Sequence, residues 1–276
     1  FELTKELARE LNQKIKITLL KCSQSKKDIN KAFLSKNLFP LSNAPKISSK
    51  KIINCTNIVG LAGVEQITEA INTNADIIIC GRSTDASLIA SLPIMNGVNK
   101  AVAWHAGKIG ECGAFCTTNP KSGVILISFK KNGFFIKPVS NNTKVTPYTV
   151  SAHMVYENSN PYTLIEPGGC LDVKKAIYKK QKDGSVYVTG ANWVQDYNYK
   201  IKLEGTYVVG YQSISMVLIR DESYVKNISK WSKQVKNKVK GIIENSLSLK
   251  KKNYEIQFRF IGKNATLGTL ERKKLE

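Results

Sequence analysis

Histidine and arginine are scarce in this chain of 276 residues, which has two histidines, and only five of its 42 lysine and arginine residues are arginine. No apolar run approaches the roughly 20 residues that a membrane-spanning helix needs, so we expect no membrane partner. The chain opens with no signal-peptide pattern, and its six cysteines follow no paired spacing. Both absences predict a cytoplasmic protein whose thiols stay reduced.

The formal net charge of +21 comes almost entirely from lysine. Proteins that bind bases and phosphates favour arginine, because its planar guanidinium group donates two hydrogen bonds at once. The sequence contains no zinc-finger spacing and no aromatic–basic platform for nucleic acid. We therefore expect no nucleic-acid partner, and only a weak attraction to small anionic metabolites.

Apolar periodicity predicts alternating helices and strands in the first part of the chain. The expected elements are helices over 3–14, 26–38 and 64–74, and strands over 15–20 and 76–80. This order is typical of parallel β/α units, so residues 1–120 are predicted to form a Rossmann-like α/β part.

Residues 121–276 follow a different pattern, which predicts an α+β part with antiparallel hairpins. Two strands flank Lys131-Asn132-Gly133, and Asn-Gly is a strong hairpin signal. A lysine-rich amphipathic helix is expected over 223–246. The other expected features are strands over 124–130, 134–138, 185–189, 199–203, 207–220 and 254–261, turns at 183–184 and 204–205, and a loop over 162–172.

A first candidate site lies where an apolar strand ends on Gly81 and is followed by Arg82, Ser83 and Asp85. Open α/β sheets bind ligands at the carboxyl ends of their strands. Gly81 permits close approach of a ligand, Arg82 suits a carboxylate or phosphate, and Ser83 or Thr84 can cap the following helix. The alternative is a plain helix cap with a surface ion pair between Arg82 and Asp85.

The helix predicted over 101–115 carries His105, Lys108 and Glu111. Residues at this spacing can form a catalytic face, with His105 as the acid or base and Lys108 or Glu111 tuning it. A buried, hydrogen-bonded histidine is the structural alternative. The cysteines that follow at 112 and 116 match no standard zinc spacing with His105, so we expect no metal.

The opposite side of the same helix has almost no side chains, since Ala103, Gly107, Gly110 and Ala114 fall there. Glycine inside a helix costs about 1 kcal/mol against alanine, so these glycines need an explanation. Close packing against a neighbouring backbone is one explanation, and a surface on which another protein docks is the other.

The second histidine, His153, shares a predicted helix face with Tyr156 and Glu157. This triplet fits a proton-transfer cluster and a structural hydrogen-bond network equally well. Farther along, Gly168 and Gly169 follow a proline in a segment that suits a lid or a main-chain anion contact. A plain turn explains the same segment equally well.

Taken together, the ordered strings G-R-S-T-D, A-W-H-A-G-K-I-G-E-C-G-A, T-P-Y-T-V-S-A-H-M-V-Y-E-N, E-P-G-G-C-L-D and V-T-G-A resemble the AtuA-like family, named for acyclic terpene utilisation. Members of that family usually carry a further glycine- and serine-rich region before these strings and continue beyond them. The resemblance, together with Phe1 as the first residue, therefore implies a chain truncated at both ends.

The resemblance implies a cytoplasmic bacterial protein of acyclic terpenoid and branched-acid catabolism, and two functions stay open. In the first, an enzyme with lyase or hydratase chemistry acts on a branched acyl or acyl-CoA acid, which Arg82 binds and to which His105 transfers a proton. CoA would then be part of the substrate, and no cofactor is expected. In the second, the chain is a non-catalytic binding or scaffolding subunit of an acyl-CoA carboxylase-type complex. Accessory subunits and homo-oligomers are compatible with both.

Overall fold

The computed structural model describes residues 1–41, 44–155, 158, 160–261 and 270. The fold is mixed α/β, as predicted, with a parallel sheet and several antiparallel sheets. The chain divides into two compact units, Phe1–Gly210 and Tyr211–Glu276. The division near residue 120 into a parallel α/β part and an α+β part stays a prediction.

The helices and strands that apolar periodicity predicts in the first part of the chain are formed, together with a helix and a strand between residues 49 and 60 that it does not predict. The elements are α1 (Glu2–Glu10), β1 (Ile17–Leu20), α2 (Lys26–Leu34), α3 (Ser49–Asn54), β2 (Asn57–Gly60), α4 (Val64–Ile71), β3 (Ile77–Cys80), α5 (Asp85–Met95) and α6 (Lys100–Gly110).

The remainder is richer in strands and ends with two helices. The elements are β4 (Ile125–Lys130), β5 (Gly133–Pro138), α7 (Pro147–Ala152), β6 (Thr163–Glu166), β7 (Gly169–Asp172), β8 (Ile177–Lys180), β9 (Val186–Thr189), β10 (Asn192–Gln195), β11 (Leu203–Thr206), α8 (Glu222–Lys226) and α9 (Ile228–Ser246), with 3₁₀ turns at Gly113–Cys116, Pro120–Ser122, His153–Val155 and Lys251–Asn253.

The parallel pairing that the sequence predicts is present between β1 and β3, in register from Ile17 opposite Ile77 to Leu20 opposite Cys80. Strand β2 pairs antiparallel with β11 instead of joining this sheet. Beyond β2 and β3, a parallel bridge joins Ala62 to Ser83. The segments that lead into α4 and α5 therefore run side by side, which positions the candidate site.

The hairpin predicted around Asn132 is confirmed, because β4 and β5 pair antiparallel with Lys130 opposite Gly133. Strands β9 and β8 extend this sheet in the order β4-β5-β9-β8. The turn predicted between residues 183 and 184 joins β8 to β9, and Gly184 has the positive φ of 82° that such turns favour.

Several local predictions in the second part are wrong. Residues 162–172 form the β6–β7 hairpin instead of a loop, and residues 204–205 lie inside β11 instead of in a turn. The strands predicted over 207–220 and 254–261 are not formed, and of 199–203 only Leu203 belongs to a strand. A strand needs a partner for its main-chain hydrogen bonds, and apolar periodicity carries no information about that partner.

One hydrophobic core joins elements from both sides of residue 120. Its largest fully buried side chains include Trp104 and Ile109 of α6, Phe134 and Ile136 of β5, and Leu171 of β7. Helix α6 thus lies between α5 and the antiparallel strands. Among the described residues, no helix is both long enough and apolar enough to cross a bilayer.

Candidate functional site

Gly81 ends β3 in tight contact with the neighbouring strand. Its N–H donates to the Leu20 carbonyl oxygen at 2.9 Å. A Cβ atom at this position would lie 3.1 Å from that oxygen and 3.2 Å from the Cys22 Sγ. The absence of a side chain at Gly81 is therefore explained by strand packing, without a ligand.

Thr84 is the residue that caps α5, as one of the two sequence alternatives predicts. Its hydroxyl oxygen accepts a hydrogen bond from the Ser87 N–H at 3.3 Å. Ser83 is buried beside Ala62, and Asp85 is the exposed first residue of α5, where a carboxylate interacts favourably with the helix dipole.

Arg82 forms its ion pair with Glu204 of β11, so the predicted Arg82–Asp85 surface pair is wrong. The guanidinium Nε and Nη2 atoms donate to Glu204 Oε2 and Oε1 at 3.0 and 3.3 Å. Lys202 approaches Glu204 Oε1 at 2.7 Å. Hydrogen bonds from Lys202 and Arg82 lower the pKa of Glu204. Two cations thus share one carboxylate, which leaves this exposed group with a net positive charge.

His105 lies fully inside the hydrophobic core. Its Nε2 atom is 3.1 Å from the Tyr178 hydroxyl oxygen, and its ring meets Phe134 and Tyr178 edge-on. Burial lowers the pKa of His105 to about 3, so the ring is neutral at ordinary pH. These contacts match the structural alternative of a buried, hydrogen-bonded histidine.

Hydrogen bonds, an ion pair and charge interactions link five polar residues in what we call the Glu166 cluster: Thr84 before α5, Lys108 and Glu111 at the end of α6, His153 after α7, and Glu166 of β6. Lys108 Nζ lies 2.7 Å from Glu111 Oε1, and these two side chains are 17% and 18% exposed. Glu166 is 9% exposed and accepts a hydrogen bond from the Thr84 hydroxyl. His153 is buried and hydrogen-bonds to the main chain of Lys108.

The environment of the cluster brings the pKa of one carboxyl group close to neutral pH. Burial raises the pKa of Glu166 to about 7, and Glu111 adds to this, while Lys108 and the Thr84 hydrogen bond oppose it. Burial and the Lys108 charge lower the pKa of His153. A carboxyl group with this pKa can both release and accept a proton at neutral pH, as general acid–base catalysis requires.

The structure brings three of the predicted site residues together, namely Lys108, Glu111 and His153. Glu166 was not predicted as a catalytic group, because in the sequence it only begins a Pro-Gly-Gly segment. Its burial and its hydrogen bond with Thr84 depend on long-range packing, for which the sequence carries no local signal. Tyr156 and Glu157 lie outside the described residues.

Gly168 and Gly169 belong to a fixed turn and its following strand. Gly168 has a φ of +76° in the two-residue turn that joins β6 to β7. Its N–H donates to the Lys200 carbonyl oxygen at 3.2 Å, and its own carbonyl oxygen accepts from the Asp196 N–H at 2.9 Å. The structure therefore matches the plain-turn alternative instead of a lid.

Within the part of the chain that the structure describes, no three histidine, cysteine, aspartate or glutamate side chains are grouped as a metal site requires. The expected absence of a metal stays a prediction. Two shallow surface depressions of about 560 and 640 Å³ are lined by α1 with β1 and by β8 with its turn. Neither includes a residue of the Glu166 cluster, whose partly exposed members are Thr84, Lys108 and Glu111.

The fold and the cluster define a mixed α/β protein with a buried, titratable carboxyl group at the end of its parallel strand pair. The chain belongs to the acyclic terpene utilisation family, since the family model described as "Acyclic terpene utilisation family protein AtuA" matches residues 1–274. The expected truncation is not confirmed by this match. No curated protein and no solved structure gave a significant match.

Proposed function

We propose that the protein is an acid–base enzyme of acyclic terpene utilisation, with Glu166 as its proton-transfer group. Family membership supports the metabolic setting. The observation that carries the proposal is the pKa of about 7 at Glu166, in a cluster with Lys108 and Glu111. Catalytic carboxyl groups that work at neutral pH are commonly tuned in this way by burial.

The proposed substrate is a branched acyl acid or its CoA thioester, and the proposed chemistry is of the lyase or hydratase type. In the dehydration direction the Glu166 carboxylate takes a proton from the carbon next to the acyl carbonyl, the electron pair of that C–H bond forms a carbon–carbon double bond, and the hydroxyl group on the next carbon leaves as water with the proton from the Glu166 carboxylic acid. When the hydroxyl group does not leave, the carboxylic acid returns the proton to carbon. Near pH 7 both forms are populated. Lys108 would stabilise the negative charge that develops on the carbonyl oxygen when the proton leaves.

Glu166 replaces His105 as the proposed acid–base group, because His105 is sealed in the core and neutral. The net positive charge of Arg82 and Lys202 around Glu204 supports the original proposal that Arg82 binds an anionic part of the substrate. The CoA thioester, the cytoplasmic location, a carboxylase-type partner and any homo-oligomer stay predictions.

The scaffolding alternative loses the observation that motivated it. Its docking surface was the glycine-rich side of α6, but a Cβ atom on Gly107 would lie 2.3 Å from the Ala86 carbonyl oxygen. That side of the helix is thus occupied by α5 of the same chain, which makes enzymatic function the better-supported proposal.

Hydrogen–deuterium exchange tests the proposal without requiring knowledge of the product. The protein is incubated in D₂O with CoA esters of branched, acyclic terpenoid acids, and deuterium entering next to the carbonyl is measured by mass spectrometry. Glu166→Gln should slow exchange by about 10²- to 10⁴-fold, because the amide cannot transfer the proton.

The matched control is Glu69→Gln, which makes the same change at an exposed position of α4 and should leave exchange unchanged. Both variants are checked for native helix content by circular dichroism. Exchange that is equal in wild type and folded Glu166→Gln would refute the role of Glu166.

A further inference from the structure

Helix α9 of the second unit is strongly basic on one side. It contains five lysines and one acidic residue, Glu244. At 100° per residue, Lys230, Lys233, Lys236 and Lys240 lie within about 120° of the helix circumference. Glu244 lies on the same side and accepts a hydrogen bond from the Tyr254 hydroxyl at 2.7 Å. The lysine side therefore carries a concentrated positive charge.

The four lysines have no ion-pair partner among the described residues, whereas Lys226 of the preceding helix pairs with Glu222 at 2.9 Å. Lys230 and Lys233 are exposed, and the other two are half-buried. Because their charges are not neutralised within the described part of the unit, they can attract an external anion.

The opposite side of α9 is apolar and only partly covered. It is formed by Ile228, Trp231, Val235, Val239, Ile242 and Ile243. Ser232 is the one buried residue of this helix, and Ile242 is 53% exposed. Lys236 and Lys238 border the apolar side at its two edges, where lysine stems can lie along an apolar surface while their charges reach water.

The second unit also exposes large apolar side chains outside the helix. Tyr211, Ile214 and Leu218 are 100%, 84% and 87% exposed. An amphipathic helix with lysines around a half-open apolar side, together with exposed apolar residues, is typical of proteins that lie at a lipid interface.

We propose that the second unit binds the surface of an anionic phospholipid bilayer through α9. The lysines would contact the headgroups, and the apolar side would enter the boundary between headgroups and acyl chains. Nucleic acid is the less suitable partner, because this helix has no arginine to form paired hydrogen bonds with phosphates and no aromatic platform on which bases would stack. The proposal departs from the sequence-based expectation of no membrane partner, which rested on the lack of a spanning segment.

Vesicle co-sedimentation of the full chain tests the proposal. Wild type should bind phosphatidylcholine vesicles that contain phosphatidylserine, bind pure phosphatidylcholine weakly, and lose binding as salt is added. Each lysine near an anionic surface strengthens binding about fivefold, so Lys230→Gln/Lys233→Gln/Lys236→Gln should weaken it about a hundredfold. Ile242→Ser should weaken it about tenfold through lost apolar insertion.

The matched control is Lys26→Gln/Lys27→Gln/Lys31→Gln on α2, which removes the same charge from exposed positions of the first unit. It should bind like wild type, and circular dichroism confirms that each variant keeps its helices. Failure of wild type to bind serine-containing vesicles at low salt overturns the proposal, as does an equal loss in both triple variants. Binding of duplex DNA through α9 without vesicle binding would assign the helix to nucleic acid and also overturn it.

Discussion

Burial shifts the pKa values of His105 and Glu166 in opposite directions. It lowers the pKa of His105 to about 3 and raises the pKa of Glu166 to about 7. In both cases a low-dielectric environment disfavours the charged form. At neutral pH His105 is therefore an uncharged core residue, whereas Glu166 can change its protonation state.

Glu166 makes the stability of the fold depend on pH. Its folded-state pKa of about 7 lies above the ordinary 4.5, so the folded state holds the extra proton between these values. The stabilisation is complete below pH 4.5 and is lost as the pH rises through 7. Glu166→Gln removes this dependence.

Urea denaturation of both proteins at pH 5 and pH 8 measures the effect. The wild type should lose up to about 3 kcal/mol of unfolding free energy between these pH values relative to Glu166→Gln. An identical pH dependence in the two proteins would show that Glu166 titrates normally.

The sequence predicts one of the two ion pairs near the candidate site and misses the other. Lys108 and Glu111 are three residues apart on a helix, so their pairing follows from helix geometry alone. The partner of Arg82 is 122 residues away in β11. A contact at that separation depends on the folded chain, which is why the only ion-pair partner that the sequence indicates for Arg82 is the neighbouring Asp85.

At the scale of elements, the packing of α6 explains why one side of this helix is rich in glycine. The glycine side of this helix was predicted, with close packing and docking as alternatives. Helix α5 crosses there, so that Gly107 meets the Ala86 main chain, and Gly110 meets the side chains of Ile89 in α5 and Ile127 in β4. Glycine is required at Gly107 because the two helix backbones approach too closely for a Cβ atom.

Two glycine-to-alanine substitutions should therefore have opposite effects. Gly107→Ala should lower the free energy of unfolding by about 1 to 3 kcal/mol, because its Cβ atom would overlap Ala86. Gly241→Ala, in α9 with nothing within 4 Å of the new Cβ atom, should raise helix stability by up to about 1 kcal/mol. Thermal denaturation compares them, and a neutral Gly107→Ala would show that α5 and α6 are not in contact there.

Hairpins were predicted where the turn signal was strong and missed where strands were short. Asn132 and Gly133 predict the hairpin of β4 and β5, whereas the sequence of the β6–β7 hairpin, with its four-residue strands, predicts a loop. Their turn uses Pro167 and Gly168, which supply the restricted φ and the positive φ of such a turn. The signal was present, but it does not distinguish a hairpin turn from a loop.

At the scale of the whole molecule, the chain consists of two units whose boundary follows Gly210. Residues 207–220 form no helix or strand, and most of their large apolar side chains are exposed. Their β-branched and aromatic residues predicted a strand. The prediction failed because strand formation needs a pairing partner as well as propensity.

Limited proteolysis should first cut the chain in this segment. Chymotrypsin should cleave after Tyr207 or Tyr211, since the latter is fully exposed in irregular backbone, before it cleaves beside the buried Trp104 or Phe134. Mass spectrometry should find an early fragment that ends at residue 207 or 211. Tyr211→Ser should slow the appearance of this fragment. First cleavage within β4 or β5 would contradict the division into two units after Gly210.

The sequence by itself determined the mixed α/β class, the parallel β1–β3 pair, the β4–β5 hairpin, a cap at Ser83 or Thr84 and the family. These follow from local periodicity, turn chemistry and ordered motifs, all of which are encoded in neighbouring residues. The tertiary structure alone decided that His105 is fully buried in the core, that Arg82 pairs with Glu204, and that Glu166 is buried and interacts with the charge of Lys108. Burial and long-range pairing depend on which distant segments meet, and that is a property of the folded chain.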